Sequence, residues 1–342
     1  MERAKGKTAQ ARDAAGGGTV NMREISRRDF LKMGAMLAAT TGLASMPSEL
    51  LAQGLEKLFG KQVKVLWLQG QSCSGCSVSL LNADNPFILE VVTEVLSMVF
   101  HQTISAAQGD VAMKLLDEAT AKEDYILVVE GSVPAGMPEA CMIAGRPFGD
   151  ILLAAARRAK YIVGTGTCAT YGGLPAAEGN VTGAVGVMEF LQQAGMKTKG
   201  VVVNCPSCPV HPDAIVGTLA YLAGAGYPEV HPELLTPKMY YAHSTHDDCP
   251  RYHYYAKHIF AQKIGDQQGC LFKLGCLGML SYTECPRRQW NSGVNWCVRA
   301  AAPCIGCSHP QFGKQKDFPF YRLGEKTHGV EYREEDRKGS HA

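Results

Sequence analysis

The sequence predicts an α/β protein: an open parallel sheet covered by helices, followed by a smaller irregular segment. Three observations carry this. Between about 61 and 235, short apolar runs alternate with helical patterns over short connections, the mark of a parallel sheet packed on both faces. From 236 to 321 that rhythm disappears, and Cys, His, Tyr, Pro and Gly dominate. A stretch so poor in core pattern needs staples. Finally, the 342 residues include 13 cysteines. They are too sparse and uneven for a small disulfide scaffold, and more numerous than inert core thiols usually are, so thiolate-bound metal is the first reading to test. A formal net charge of +2, with 46% hydrophobic and 19% charged residues, excludes a strongly basic nucleic-acid binder and an acidic disordered chain.

The N-terminus reads as an address. Ser26-Arg27-Arg28-Asp29-Phe30-Leu31-Lys32 precedes an uncharged, weakly apolar run from Met33 to Met46, ended by Pro47. A basic region, a short apolar run and small residues make an export signal, too short to span a bilayer permanently. The paired arginines before Phe-Leu-Lys resemble a twin-arginine (Tat) signal. That route carries folded cargo and suits a protein that receives its cofactor in the cytoplasm. An amphipathic N-terminal helix is the other reading. Residues 1–52 are therefore set apart as signal and extension. Cleavage near Ala44 or Ala52 fits, although neither site has a clean A-x-A pattern. The basic excess of the chain lies in this stretch and so says nothing about a partner. The most apolar later candidate for a membrane span, Ala214 to Tyr227, contains three glycines and stops at Pro228. No span is expected after the signal.

In the first region, Val63–Leu68 is a compact β-rich run, Phe87–Val99 has helical spacing, and Asp110–Ala121 reads as an amphipathic helix. Tyr125–Val129 is a buried strand, Asp150–Lys160 a helix, Tyr161–Val163 and Gly200–Val203 short strands, and Asp213–Leu222 a helix. The residues from 322 to 342 are charged and expected to form a surface tail.

Ligands of open parallel sheets bind beyond the carboxyl ends of the strands, and the cysteines sort accordingly. Cys73 and Cys76 follow the first strand. Cys168 follows the strand at Tyr161, and Cys205 and Cys208 follow the strand ending at Val203. Three loops on one sheet edge could thus gather four or five sulfurs, with glycines letting backbone N–H groups approach. Four thiolates around one site mean iron–sulfur or zinc. The irregular segment offers two more sets. His246 and Cys249, spaced i,i+3, join Cys270 and Cys276. Cys285, Cys297, Cys304 and Cys307 make a second group of four. Cys141 and one of Cys205 and Cys208 are left over, and a buried inert thiol is the reading for Cys141. His211, His243, His253 and His258 read as polar surface or supporting groups. Zinc could fill the two later sets. Disulfides are a third reading, opposed by the odd cysteine total and the folded-export signal.

At this point the residues resemble a family, the small subunit of periplasmic-type nickel–iron hydrogenases. The matching stretches run from Trp67-Leu68-Gln69-Gly70-Gln71-Ser72-Cys73-Ser74-Gly75-Cys76-Ser77-Val78-Ser79-Leu80-Leu81, through Val129-Glu130-Gly131-Ser132-Val133-Pro134, to Gly166-Thr167-Cys168-Ala169-Thr170-Tyr171-Gly172-Gly173. They continue with Cys208-Pro209-Val210-His211-Pro212-Asp213, His246-Asp247-Asp248-Cys249-Pro250-Arg251, Gly269-Cys270 to Gly275-Cys276, and Trp296-Cys297 to Pro303-Cys304-Ile305-Gly306-Cys307. A relative in the energy-converting NADH dehydrogenase complex shares only the proximal-type motif and lacks the region from His246 to Cys307.

The resemblance implies a flavodoxin-like domain over 61–235 and an iron–sulfur domain over 236–321. It also implies three iron–sulfur clusters that relay electrons between the nickel–iron centre of a separate large subunit and an external redox partner, such as a cytochrome or a ferredoxin-like subunit, during reversible H2 oxidation. On this reading Cys73, Cys76, Cys168 and Cys208 bind a proximal 4Fe–4S cluster. His246, Cys249, Cys270 and Cys276 bind a distal 4Fe–4S cluster, and Cys285, Cys304 and Cys307 bind the medial one. The family pattern Asn-x-Pro-Gly-Cys-Pro selects Cys208 and leaves Cys205 extra, with Ser207 in place of the Gly. Many members have Pro at Cys297 and a three-iron, 3Fe–4S medial cluster. The cysteine here supplies a fourth ligand and points to 4Fe–4S, as in the nickel–iron–selenium branch. Oxygen-tolerant members carry two extra cysteines where Gly75 and Gly173 stand, so an ordinary proximal cubane is implied. The expected location is the periplasm, with membrane association only through a partner. The competing function is an exported, non-redox binding protein stapled by zinc.

Overall fold

The computed structural model describes residues 62–314, apart from 85, 93–95 and 123. The Tat signal and the 322–342 tail lie outside the described residues. The centre is a five-stranded parallel sheet. Its strands are β1 (Val63–Gln69), β2 (Leu96–His101), β3 (Tyr125–Glu130), β4 (Tyr161–Thr165) and β5 (Val202–Cys205). Their order across the sheet is β2-β1-β3-β4-β5, the doubly wound order of flavodoxin-like folds. The register places Leu66 beside Leu127, Leu127 beside Ile162 and Val163 beside Val203.

The helices are α1 (Gly75–Leu81), α2 (Gly109–Thr120), α3 (Phe148–Ala156), α4 (Thr167–Tyr171), α5 (Val187–Gln193) and α6 (Pro212–Gly224). Because strand side chains alternate, the sheet has two cores. Val65, Trp67, Val128, Val163 and Val203 face Leu80 of α1 and Ile215 and Leu219 of α6. Leu66, Leu68, Leu127, Val129 and Ile162 face Leu116 of α2, Phe148 and Ile151 of α3, and Leu191 of α5. The strands are near-continuous apolar runs because both faces are covered.

One expectation fails. Phe87–Val99 does not form a helix throughout. Among the described residues helix covers Ile88–Glu90 with a π turn at Val91 and Val92, and Leu96–His101 form the edge strand β2. The apolar run of this segment satisfies either period, and the edge of β1, open to parallel pairing, decides for the strand. Other bounds shift by a few residues: the last strand ends at Cys205, two beyond the expected Val203, and α3 starts at Phe148 and stops at Ala156. The helices α1, α4 and α5 are additions that the sequence pattern does not predict.

After α6 the longest α-helix among the described residues is α7 (Tyr252–Ala256). The turn α8 (Cys285–Arg288) follows. A small core of Ala261, Leu271, Leu274, Trp296, Val298 and Cys304 holds this part, with Cys249, Cys276 and Cys285 packed against it. Cysteines thus stand where aliphatic side chains would fill an ordinary core.

Candidate metal centres

The first centre lies at the carboxyl edge of the sheet. β1 runs into a loop tied to the end of β3, with Gly70 N–H donating to Glu130 O (2.8 Å) and Gln71 N–H to Ser132 O (3.0 Å). Cys73 then precedes α1 and Cys76 lies in its first turn. Cys168 lies in α4, and Cys208 follows β5. Glycines line these sulfurs. A Cβ on Gly166 would sit 2.7 Å from Cys76 Sγ, one on Gly173 2.9 Å from Cys168 Sγ, and one on Gly75 3.1 Å from Cys73 Sγ. Gly166 and Gly173 have φ of +92° and +52°, where glycine alone is comfortable. Side chains are thus absent where a sulfur-bound body would need room.

Burial pushes the Cys76, Cys168 and Cys208 thiols up, Cys208 to about 12. Negative charge on Cys168 and Cys73 pushes Cys208 further, and charge on Cys208 and Cys168 acts on Cys76. These three thiols become thiolates together only when a cation compensates them.

Beneath this centre lies Glu130, which is 2% exposed. Its carboxylate accepts the Cys76 N–H (2.9 Å), the Ser77 N–H (3.3 Å), Trp67 Nε1–H (3.1 Å), Gln69 Nε2–H (3.2 Å) and the Ser77 hydroxyl. Ser77 Oγ also lies 3.1 Å from His101 Nε2. The Thr103 N–H donates to His101 Nδ1 (3.1 Å), so Nε2 carries the ring proton and donates to Ser77. In the sequence Glu130 stands out only as part of a motif. A carboxylate ending a fully buried strand is the signal that points to it.

The second candidate set is His246, Cys249, Cys270 and Cys276. His246 N–H donates to Gly278 O (3.1 Å), and Gly278 also borders Cys276, with a built Cβ 3.6 Å from its Sγ. Burial raises Cys249 and Cys270 to about 11, and charge on Cys276 raises both further. His246 Nε2 is buried and has no hydrogen-bond partner among the described residues. A buried ring nitrogen is normally satisfied, and a neutral imidazole is a metal ligand. Burial holds His246 below the usual histidine range, which keeps that ring neutral. The ring is packed edge-on against Tyr252 and Tyr255, with centroids at 5.2 and 4.7 Å.

The third candidate set is Cys285, Cys297, Cys304 and Cys307. Burial raises Cys285, Cys297 and Cys304, and charge on Cys307 raises all three further. Thr283 Oγ1 donates to Cys285 Sγ at 3.2 Å. Two contacts set the order of the centres. Cys304 N–H donates to Cys276 Sγ (3.4 Å), joining the third to the second. Ser207 Oγ lies 3.2 Å from Cys307 Sγ, joining the third to the first. The third centre therefore stands between the other two.

All thirteen cysteines are free thiols, so the disulfide reading finds no pair. Cys205 points into the core beside Thr218 (3.5 Å), with its thiol raised to about 12 by burial. Cys141 packs beside the α2–α3 core. Neither joins a group. Among the described residues no three His, Cys, Asp or Glu side chains converge as they would around one metal ion. The orphaned His246 nitrogen, the glycine-lined sulfurs and the predominance of thiol donors fit iron–sulfur clusters.

A parallel-sheet protein with sulfur sets at one strand edge and in an irregular extension is an iron–sulfur electron carrier in type. Comparison with known proteins makes this particular. Residues 241–321 match the C-terminal family of NiFe/NiFeSe hydrogenase small subunits, and residues 73–222 match the family described as NADH ubiquinone oxidoreductase, 20 Kd subunit. Residues 24–44 match the twin-arginine translocation signal. The periplasmic nickel–iron–selenium hydrogenase small subunit of Desulfomicrobium baculatum is 37% identical over 316 residues, covering 87% of this chain and 98% of that protein. A periplasmic nickel–iron hydrogenase small subunit of Nitratidesulfovibrio vulgaris is 36% identical, covering 87% and 94%. A chain of the oxidised nickel–iron–selenium hydrogenase from Desulfovibrio vulgaris Hildenborough superposes with a TM-score of 0.72 at 38% identity, covering 78% of this chain and 99% of that one.

The chain belongs to the nickel–iron/nickel–iron–selenium hydrogenase small-subunit family. It is an electron-transfer subunit of a hydrogenase, carries iron–sulfur clusters and pairs with a large subunit. Its Tat signal directs export to the periplasm. Among the described residues no helix is long and apolar enough to cross a membrane.

Proposed function

We propose that this chain binds three iron–sulfur clusters, which supply one-electron carriage when bound, and that they link the large subunit's nickel–iron centre to an external carrier. Cys73, Cys76, Cys168 and Cys208 hold the proximal 4Fe–4S cluster. His246, Cys249, Cys270 and Cys276 hold the distal 4Fe–4S cluster, and Cys285, Cys297, Cys304 and Cys307 hold a medial 4Fe–4S cluster. The division at 235/236 separates the sheet that frames the proximal ligands from the segment that frames the others.

The single observation that supports this reading is the pair of contacts Ser207–Cys307 and Cys304–Cys276, which link sulfurs of the three candidate sets in series. At one end, Val78 and Phe87 are exposed, 56% and 54%, on the α1 side. An apolar surface beside the proximal ligands suits docking of the large subunit. At the other end, His246 meets Tyr255, Tyr255 meets Phe272 (5.6 Å), and Lys273 caps Phe260 (4.8 Å). That end is the exit to the external carrier.

Metal analysis of the purified heterodimer tests the reading. About twelve irons with matching sulfide on this chain, beyond the iron of the large subunit, and a brown absorption are expected. Zinc in place of iron, with a colourless small subunit, would favour the stapled binding protein instead.

A further inference from the structure

We propose that Ser207 is a positioning residue that joins the proximal and medial sites and raises the medial reduction potential by donating a hydrogen bond to Cys307. The inference rests on the ligand assignment above and concerns a residue that is not itself a ligand. Ser207 is 3% exposed and precedes Cys208 directly. Its Oγ lies 3.2 Å from Cys307 Sγ. A metal-bound cysteine is a thiolate and can only accept, so the hydroxyl is the donor. One side chain thus spans from the residue next to a proximal ligand to the sulfur of a medial ligand.

The backbone shows that this placement is imposed. Ser207 has φ of +150°, a region that side chains other than glycine's disfavour, and the family pattern at this position is Gly. The strain is held from both sides by Thr167. Its Oγ1 accepts the Ser207 N–H (3.0 Å), its N–H donates to Ser207 O (3.0 Å), and its hydroxyl donates to the Cys307 carbonyl. The hydroxyl therefore stands in a frame that already fixes Cys307. Hydrogen bonds to cluster sulfurs shift potential upward, because they stabilise the more negative, reduced state. At this site the shift opposes the extra negative charge that a fourth thiolate, Cys297, would bring.

The test is a potentiometric titration of the holo-heterodimer followed by EPR, comparing Ser207→Gly and Ser207→Ala with the parent protein. Both variants should lower the medial potential and leave the distal one unchanged. Ser207→Gly, which also releases the backbone strain, should melt no lower than the parent, whereas Ser207→Ala should not gain stability. Cys307→Ala is the control for the ligand assignment and should lose medial iron. If Cys307→Ala loses iron but both Ser207 variants keep the parent medial potential at full iron content, the hydrogen-bond role is overturned alone. If Cys307→Ala keeps all its iron, the ligand assignment falls, and this inference falls with it.

Discussion

Glu130 Oε1 accepts the backbone N–H of Cys76 at 2.9 Å, so the second sulfur of the Cys73–Cys76 loop is placed by a buried carboxylate at the end of the neighbouring strand. The carboxylate has donors on both oxygens and no positive side chain among its hydrogen-bond partners. It contributes both shape and negative charge. Shape follows from geometry, since α1 begins where these N–H groups need an acceptor. Charge follows from the acceptor-only chemistry of a carboxylate surrounded by donors.

Glu130→Gln should separate the two contributions. The amide turns an NH2 toward N–H and O–H donors, and each mismatched buried group costs about 1–3 kcal/mol. A melting temperature lower by a few degrees in the holo-heterodimer is expected, since in large domains each kcal/mol shifts it by at most about 2–4 °C. Loss of the charge should raise the proximal potential, read by EPR titration. An unchanged melting temperature together with an unchanged potential would show that the carboxylate serves neither purpose.

His101 makes the sheet edge acid-sensitive. It is fully buried, and burial holds its pKa at about 4, against the opposing pull of the Glu130 charge. The Ser77 and Thr103 hydroxyls are the other polar side-chain groups on its ring. In the unfolded chain the ring titrates near its ordinary 6.5. Between 6.5 and about 4 the unfolded state therefore binds a proton that the folded state refuses. Stability falls as pH falls through that window, by about 1.4 kcal/mol per pH unit from this one group. His101→Gln, which has no proton to bind, should flatten the dependence of the urea midpoint on pH by one proton between pH 6.5 and 4.5. A slope identical to that of the parent protein would mean that His101 is not held neutral.

How far such relationships could be read from sequence depends on their range. Buried strands such as Tyr125–Glu130 announce themselves through unbroken apolar runs. The edge strand Leu96–His101 does not, because its apolar content satisfies a helix equally and only the open edge of β1 decides. Cysteine spacing suggests sets of donors but cannot choose between Cys205 and Cys208. The fold separates them by turning Cys205 into the core toward Thr218. The Glu130 and Ser207 contacts are illegible for another reason. Each joins residues far apart in the chain, Glu130 to Cys76 and Ser207 to Cys307, and no local period encodes such a pairing.

His246 should matter for exchange with the outside more than for the chemistry on the partner. Its buried Nε2 has no hydrogen-bond partner among the described residues and its ring packs against Tyr252 and Tyr255, which suits the ligand of the outermost cluster in the relay proposed above. His246→Ala should slow H2-driven reduction of the external carrier on the order of tenfold or more. Isotope exchange between H2 and water, which needs only the large subunit's centre, should stay close to the parent rate. Equal losses in both assays would place His246 outside the exit.

Cys297 decides the type of the medial cluster. Cys297 is exposed, and its thiol is raised first by burial and then by charge on Cys307, while it acts in turn on Cys285, so it lies near the sulfurs proposed above for the medial cluster. Three thiolates suffice for a three-iron centre, and an iron corner without a protein ligand is the one most easily lost. A fourth thiolate retains that iron and, by adding negative charge, lowers the potential. The as-isolated, oxidised heterodimer should therefore show no strong three-iron EPR signal, and Cys297→Pro should create one while removing about one iron per small subunit. A strong three-iron signal in the unmutated protein, purified without oxygen and unchanged by Cys297→Pro, would show that this sulfur is a spectator.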